Sequence, residues 1–339
     1  MKKIFVTGGA GFIGSAFIHL ILRENSDIEI VNFDALTYAG NPENLKDVED
    51  SRHTFVKGNI CDKQAVLDAL PADAEAIFNF AAESHVDRSI TSADEFVLTN
   101  VLGTQVLLDA ARARNVRRYV QVSTDEVMGS LPDESNLYFT EISPLKPNSP
   151  YAASKAAAEH FVRAARETFG LDTVITRCGN NYGPRQFPEK LIPLMIANAL
   201  EDEPLPVYGD GRNVRDWIYV EDHARAIWLA YERGKSGEAY NIGARNEQYN
   251  IDVVKGILDA LGKPHSLIKF VADRLGHDRR YAIDATKVET ELDWKPETSW
   301  DEGLRKTIRW YQENQDWVAR IRSGAYRDYY QKMYGASLK

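Results

Sequence analysis

Short apolar runs alternate with stretches of helical periodicity through the first half of the chain. The runs at 4–7, 28–34, 53–57, 76–80, 119–123 and 173–178 predict buried strands, and the segments 15–24, 63–70, 95–114 and 150–169 predict helices between them. This alternation gives an α/β fold, a doubly wound parallel sheet with helices on both faces. Ligands of such sheets sit beyond the carboxyl ends of the strands. Function is therefore expected at Gly8–Gly14, Asp34, Phe80–Ser84, Ser123–Glu126 and Cys178–Tyr182. From Gly183 the texture changes: prolines cluster at 184, 188, 193, 204 and 206, and short segments mix with loops. The pattern predicts a first domain over 1–182 and a smaller, mixed α/β substrate-binding lobe over 183–339, closing on it to form a cleft.

The turn after the first run reads Gly8-Gly9-Ala10-Gly11-Phe12-Ile13-Gly14 and opens a helix. Glycines let the backbone approach a pyrophosphate, and a helix N-terminus offers it free N–H groups. Asp34 ends the second run, twenty residues after Gly14. A carboxylate there suits the ribose 2′-OH of NAD and repels the 2′-phosphate of NADP.

Composition narrows the class. Hydrophobic residues at 44% and charged residues at 27% are ordinary for a globular protein, and a net charge of -9 without a basic run argues against nucleic acid. Cys61 and Cys178 form no C-x-x-C pair, so neither a metal site nor a disulfide framework is expected, and a reducing cytoplasm suits them. The first strand begins at once, leaving no room for a signal peptide, and the apolar stretch 191–200 is too short to span a bilayer.

Tyr151 and Lys155 lie four apart at a predicted helix start and so share one face. A tyrosine of pKa roughly 10 is a poor base at neutral pH, and a nearby ammonium together with a positive nicotinamide ring favours the phenolate and lowers that value. Thr124-Asp125-Glu126 follows a strand and adds two carboxyl groups. Loss of water from a sugar needs such a pair, one as base and one as acid, and adjacent carboxyls in a cleft tend to split their pKa values. The bland alternative is that Asp125 caps the turn and Glu126 is solvated.

The glycine turn with Tyr151 and Lys155 resembles the extended short-chain dehydrogenase/reductase superfamily, which binds NAD on a Rossmann-type sheet. Further stretches resemble one of its families, the dTDP-glucose 4,6-dehydratases: 34–41, 81–89, 180–184, 187–191, Arg215-Asp216-Trp217 and 276–281. The resemblance implies that Tyr151 takes the O4 proton while C4 gives hydride to NAD⁺, with Thr124 at the reacting oxygen. Glu126 then removes the C5 hydrogen, Asp125 protonates the leaving C6 hydroxyl, and hydride returns to C6. It implies cofactor contacts from Gly8, Gly11, Phe12, Ile13, Gly14, Asp34, Ala35, Leu36, Thr37, Asn59, Ile60, Phe80, Ala81, Ala82, Ser84, Thr99, Ser123, Tyr151, Lys155, Cys178 and Asn181. The nucleotide sugar would meet Ser84, Thr124, Asn180, Lys190, Leu191, Pro206, Tyr208, Arg215, Asn250 and His277. Ion pairing of Arg215 with Asp216 or Asp222, and a structural role for His277, are the competing assignments.

Three positions depart from the family pattern: Met128 in place of a tyrosine, Leu275 in place of a proline, and Asn59 where an aspartate is common. Trp294, Trp300, Trp310 and Trp317 are expected in core and helix packing. A 4-epimerase, or a dehydratase of a UDP- or CDP-linked sugar, stays open, as does an NAD-binding scaffold without catalysis. A homodimer through 95–114 and 150–169 is expected from the likeness and from the surplus of apolar residues there.

Overall fold

A computed structural model describes residues 1–48, 50–133 and 136–323. The end of the expected second lobe, 324–339, lies outside the described residues. The seven-stranded sheet comprises β1 (Lys2–Thr7), β2 (Ile28–Asp34), β3 (His53–Lys57), β4 (Ala74–Asn79), β5 (Arg118–Thr124), β6 (Thr173–Cys178) and a late strand, Ala239–Ile242. Their order is Ala239–Ile242, β6, β5, β4, β1, β2, β3, and every pairing is parallel. This is the Rossmann-type arrangement, with its change of direction between β1 and β4.

Period-two alternation decides what each face buries. Ile4 and Val6 of β1 join a cluster with Phe17, Ile18 and Ile227, while Phe5 between them joins the opposite cluster with Phe33, Ile77 and Leu107. Helices Phe12–Glu24 and Val220–Arg233 cover the first face; Lys63–Ala69, Gly103–Ala113 and Pro150–Phe169 cover the second. Thus a strand and a helix from beyond residue 183 complete the first unit's sheet and its cover.

A further cluster packs Ile192, Met195, Trp217, Val254, Leu304 and Trp317 around a three-stranded sheet of Asn180–Tyr182, Val214–Tyr219 and Glu247–Tyr249. The helix expected over 95–114 is broken: a turn at Asp94–Phe96 leads into a π-helical Val97–Leu102 before Gly103–Ala113. Such segments recur where a side chain must be re-aimed, and periodicity does not reveal them.

Candidate active site

At the end of β1 the chain turns at Gly8 with φ +72°. A Cβ there would sit 2.6 Å from the Ala81 nitrogen after β4, and one at Gly14 would run into the Gly8 carbonyl. Both positions need glycine because backbone crosses backbone. Asp34 is buried beside them. Its Oδ2 accepts the Ala10 N–H at 2.9 Å and its Oδ1 the Leu36 N–H at 2.8 Å. Burial raises its carboxyl, and these two N–H groups oppose the rise.

The helix Pro150–Phe169 owes its start to Ser149, whose Oγ accepts the Ala152 N–H at 3.1 Å, and its end to Gly170 in the left-handed region at φ +71°. Proline at its first position fits the same rule. The start of this helix places Tyr151 and Lys155 under the ends of β5 and β6. Lys155 donates to the Val122 carbonyl at 2.7 Å, and burial lowers its ammonium to about 8. At Tyr151 burial, followed by Glu126, Cys178 and Asp125, pushes the phenol well above its usual value, with Thr124 acting against them. Burial is the largest of these causes. Burial likewise lifts the Cys178 thiol to about 12.

Thr124, not Asp125, caps the 3-10 turn Asp125–Met128. Its Oγ1 accepts the Glu126 N–H and donates to Asp125 Oδ1, each at 3.3 Å. Asp125 is 2% exposed and, among the described residues, its Oδ2 has no hydrogen-bond partner. Burial and then Glu126 raise its carboxyl well above the usual range; burial also raises Glu126, with Arg274, Arg215 and Lys190 opposing. Asp125 is thus neither the cap nor solvated, while Glu126 is half-buried on the cavity wall.

These groups line one cavity of about 420 Å³. Every cofactor and substrate residue expected from the sequence lines it except Leu36, which lies behind Asp34 at φ +54° and offers only its N–H. Arg215 is buried and paired with neither aspartate: it donates to the carbonyls of Val214 at 2.7 Å and Asp278 at 2.9 Å, over the Tyr281 ring. Asp216 and Asp222 instead accept the backbone N–H groups of Asn246 and Thr298. Lys190 donates to the Ser84 carbonyl at 2.7 Å, joining two predicted motifs. His277 contacts Asp273 at 2.6 Å, and burial with Arg274 and Arg215 lowers it to about 4, so it is neutral near pH 7. Asn181 receives His223 at 2.8 Å, and Tyr208 donates to Asp87 at 3.2 Å.

The departures resolve differently. Asn59 accepts the Cys61 N–H at 2.9 Å and still lines the cavity. Leu275 is 77% exposed beside Gly276, outside the cavity wall. Met128 is buried against Val127, Ala156 and Ile283. Trp317 packs in the second core as expected but also lines the cavity, as does Trp217.

Sequence reasoning missed Glu83, His85, Asp87, Glu189 and Arg274 on the same wall. The first four stood inside quoted motifs, beside the Ser84 and Lys190 that were chosen. Arg274 lies in a loop with no local signal. Asn100, in the π-helical segment, was missed as well: it exchanges hydrogen bonds with both the N–H and carbonyl of Glu83 at 2.9 Å and donates to Ser154.

The family model described as GDP-mannose 4,6 dehydratase matches residues 5–307. A probable dTDP-glucose 4,6-dehydratase of Sinorhizobium fredii is 53% identical, over 96% of this chain and 97% of that protein. The chain belongs to the dTDP-glucose 4,6-dehydratase family. An Escherichia coli member, dTDP-glucose 4,6-dehydratase 1, is 50% identical over 98% of this chain and 99% of its own. The Streptomyces venezuelae member DesIV, solved with NAD bound, superposes with a TM-score of 0.91 at 49% identity, covering 94% of this chain and 99% of that one. The family likeness therefore extends through both packing units.

Proposed function

We propose that this chain is a hydro-lyase that converts dTDP-glucose to dTDP-4-keto-6-deoxy-glucose with NAD as resident cofactor. The observation that carries it is the meeting of the Tyr151–Lys155 helix and the Asp125–Glu126 turn on one cavity wall that also holds the glycine turn and Asp34. The close-packed Gly8 and Gly14 and the carboxylate of Asp34 fit a dinucleotide and its ribose. NAD bound there supplies a hydride acceptor and, later, a hydride donor.

The chain's own groups supply the rest. Tyr151 accepts the O4 proton as its phenolate, a form that burial opposes and that the Lys155 ammonium one turn away and the positive nicotinamide of bound NAD would favour, with Thr124 at the reacting oxygen. A ketone at C4 acidifies C5–H, and Glu126 takes that proton. Asp125, whose burial favours the protonated form, gives its proton to the departing C6 hydroxyl. Lys190, Arg215 and neutral His277 face the diphosphate, and Pro206, Tyr208, Leu191 and Asn250 the nucleoside. The carboxyl pair favours elimination over 4-epimerisation, which needs neither acid nor base at C5 and C6.

The two-unit division at 182/183 is proposed with one amendment, that Val220–Arg233 and Ala239–Ile242 serve the first unit. A homodimer is supported by Val97, Leu98, Leu102, Phe161 and Phe169, large apolar side chains exposed along the expected helices. Leu102→Glu should yield monomers in light scattering; a wild-type chain already monomeric refutes the dimer. Among the described residues no helix is long and apolar enough to cross a membrane, and a cytoplasmic location is proposed with the two unpaired cysteines.

The decisive experiment gives the protein dTDP-glucose deuterated at C4. Loss of one water with deuterium recovered at C6 is expected. Product without label at C6 would overturn the mechanism, and a panel of UDP-, CDP- and GDP-glucose would reassign the base if one of them outperforms.

A further inference from the structure

One guanidinium touches three segments that carry or border the chemistry. Arg177 lies in β6 directly before Cys178 and is buried. It donates to both carboxylate oxygens of Glu159, with contacts of 3.1, 3.1 and 2.7 Å. Glu159 stands one turn beyond Lys155 on the same helix. The same guanidinium lies 4.0 Å from the Met128 sulfur, at the end of the Asp125 turn, and donates to the Glu141 carbonyl at 3.0 Å. The carboxylate of Glu141 in turn accepts the Asn241 N–H of the late strand at 2.9 Å.

We infer that Arg177 and Glu159 are positioning residues that hold the Tyr151–Lys155 helix and the Asp125–Glu126 turn in one register. The inference rests on the dehydration proposed above. That reaction asks two separate elements to act on neighbouring carbons of one sugar. Lys155 and Thr124 link the start of the helix to β5 and the turn, and beyond that first turn of helix lie apolar contacts of Val127, Met128 and Ala156. Apolar contact resists separation but is non-directional, so it does not stop the helix sliding or rotating. A bidentate charged fork fixes direction. Replacing a buried pair by apolar residues of like volume is often neutral for stability, so stability alone does not account for a pair at this place.

Glu159 also acts on Lys155 through space. Facing that ammonium are Glu159 on its own helix, the Val122 carbonyl on β5 and Cys178 on β6, whose thiol in turn feels Asp125. Of these, Cys178 and Glu159 favour the charged amine.

The test uses the full-length chain with its NAD, as Glu159→Gln and as the double variant Glu159→Leu with Arg177→Met. We expect kcat for dTDP-glucose to fall on the order of 100-fold in both, the scale of a 1 Å misplacement, with KM nearly unchanged. The double variant should melt close to wild type, which separates misalignment from unfolding. A double variant with wild-type kcat overturns the inference. A second readout needs no sugar: the pH midpoint of Lys155 acetylation by acetic anhydride, followed by mass spectrometry. It should move to lower pH in Glu159→Gln. An unmoved midpoint overturns the inference even where another nucleotide sugar proves to be the substrate, so the two failures are told apart.

Discussion

Lys155 sends its ammonium to the carbonyl of Val122, 2.7 Å away, two residues before the Thr124 that caps the acidic turn. One side chain thereby ties the helix that carries Tyr151 to the strand that delivers Asp125 and Glu126. Lys155→Met should keep the fold and lose about 100-fold to 1,000-fold in kcat, within the range for an acid–base element. Steady-state water loss, followed by product mass, measures it.

The same amine sets an alkaline limit. Its folded value is lowered to about 8 from 10.5 by burial. Activity that needs the charged form should fall as pH rises through about 8. The stability effect has the opposite sign. Between about 8 and 10.5 the unfolded chain binds more protons at this site, so the Lys155 contribution to unfolding free energy grows with pH. A rate profile and chemical melts across pH 7–10 should therefore diverge; parallel curves would remove Lys155 from the role.

Glu126→Gln keeps the shape of the turn and removes the base. The substrate should then reduce bound NAD, seen as absorbance of the reduced nicotinamide, while water loss drops by at least about 100-fold. Full turnover in this variant would reassign the C5 base.

Asp125→Asn separates acid from base. The Asp125 carboxyl is the one raised well above its usual value by burial and by Glu126. Exchange of the C5 hydrogen with solvent deuterium should persist in Asp125→Asn while expulsion of the C6 hydroxyl slows. Loss of exchange together with dehydration would mean that both carboxyls serve proton removal.

At Gly14 a methyl group would meet the Gly8 carbonyl and lie 2.8 Å from the Gly9 Cα, both backbone. Gly14→Ala should cost about 1–3 kcal/mol of stability, the usual price of overpacking, and release NAD during purification. Calorimetry and the nicotinamide content of the purified protein read the two effects separately.

The candidate site was legible wherever a motif names its own chemistry. The glycine turn, Asp34, Thr124-Asp125-Glu126 and Tyr151 with Lys155 were found in sequence because each is local, a few residues on one turn or helix face. The π-helical Val97–Leu102 was not, since one inserted residue leaves the apolar periodicity nearly intact. Arg274 was not, since a loop cation shows its target only once the loop is folded over the cavity. The burial of Tyr151 and the approach of Glu126 and Cys178 were illegible for a related reason: the sequence gives only the partner four residues away.

By itself the sequence determined the parallel α/β order and located the glycine turn, the Thr124-Asp125-Glu126 turn and the Tyr151–Lys155 pair, because these follow from periodicity and from residues adjacent in the chain. Tertiary structure alone decided that the late strand Ala239–Ile242 closes the sheet, that Arg215 points to carbonyls and not to its neighbouring aspartates, and that Arg177 bridges helix to turn. Those are contacts between residues far apart in sequence, fixed by packing and by the satisfaction of buried charge, and no local pattern encodes them.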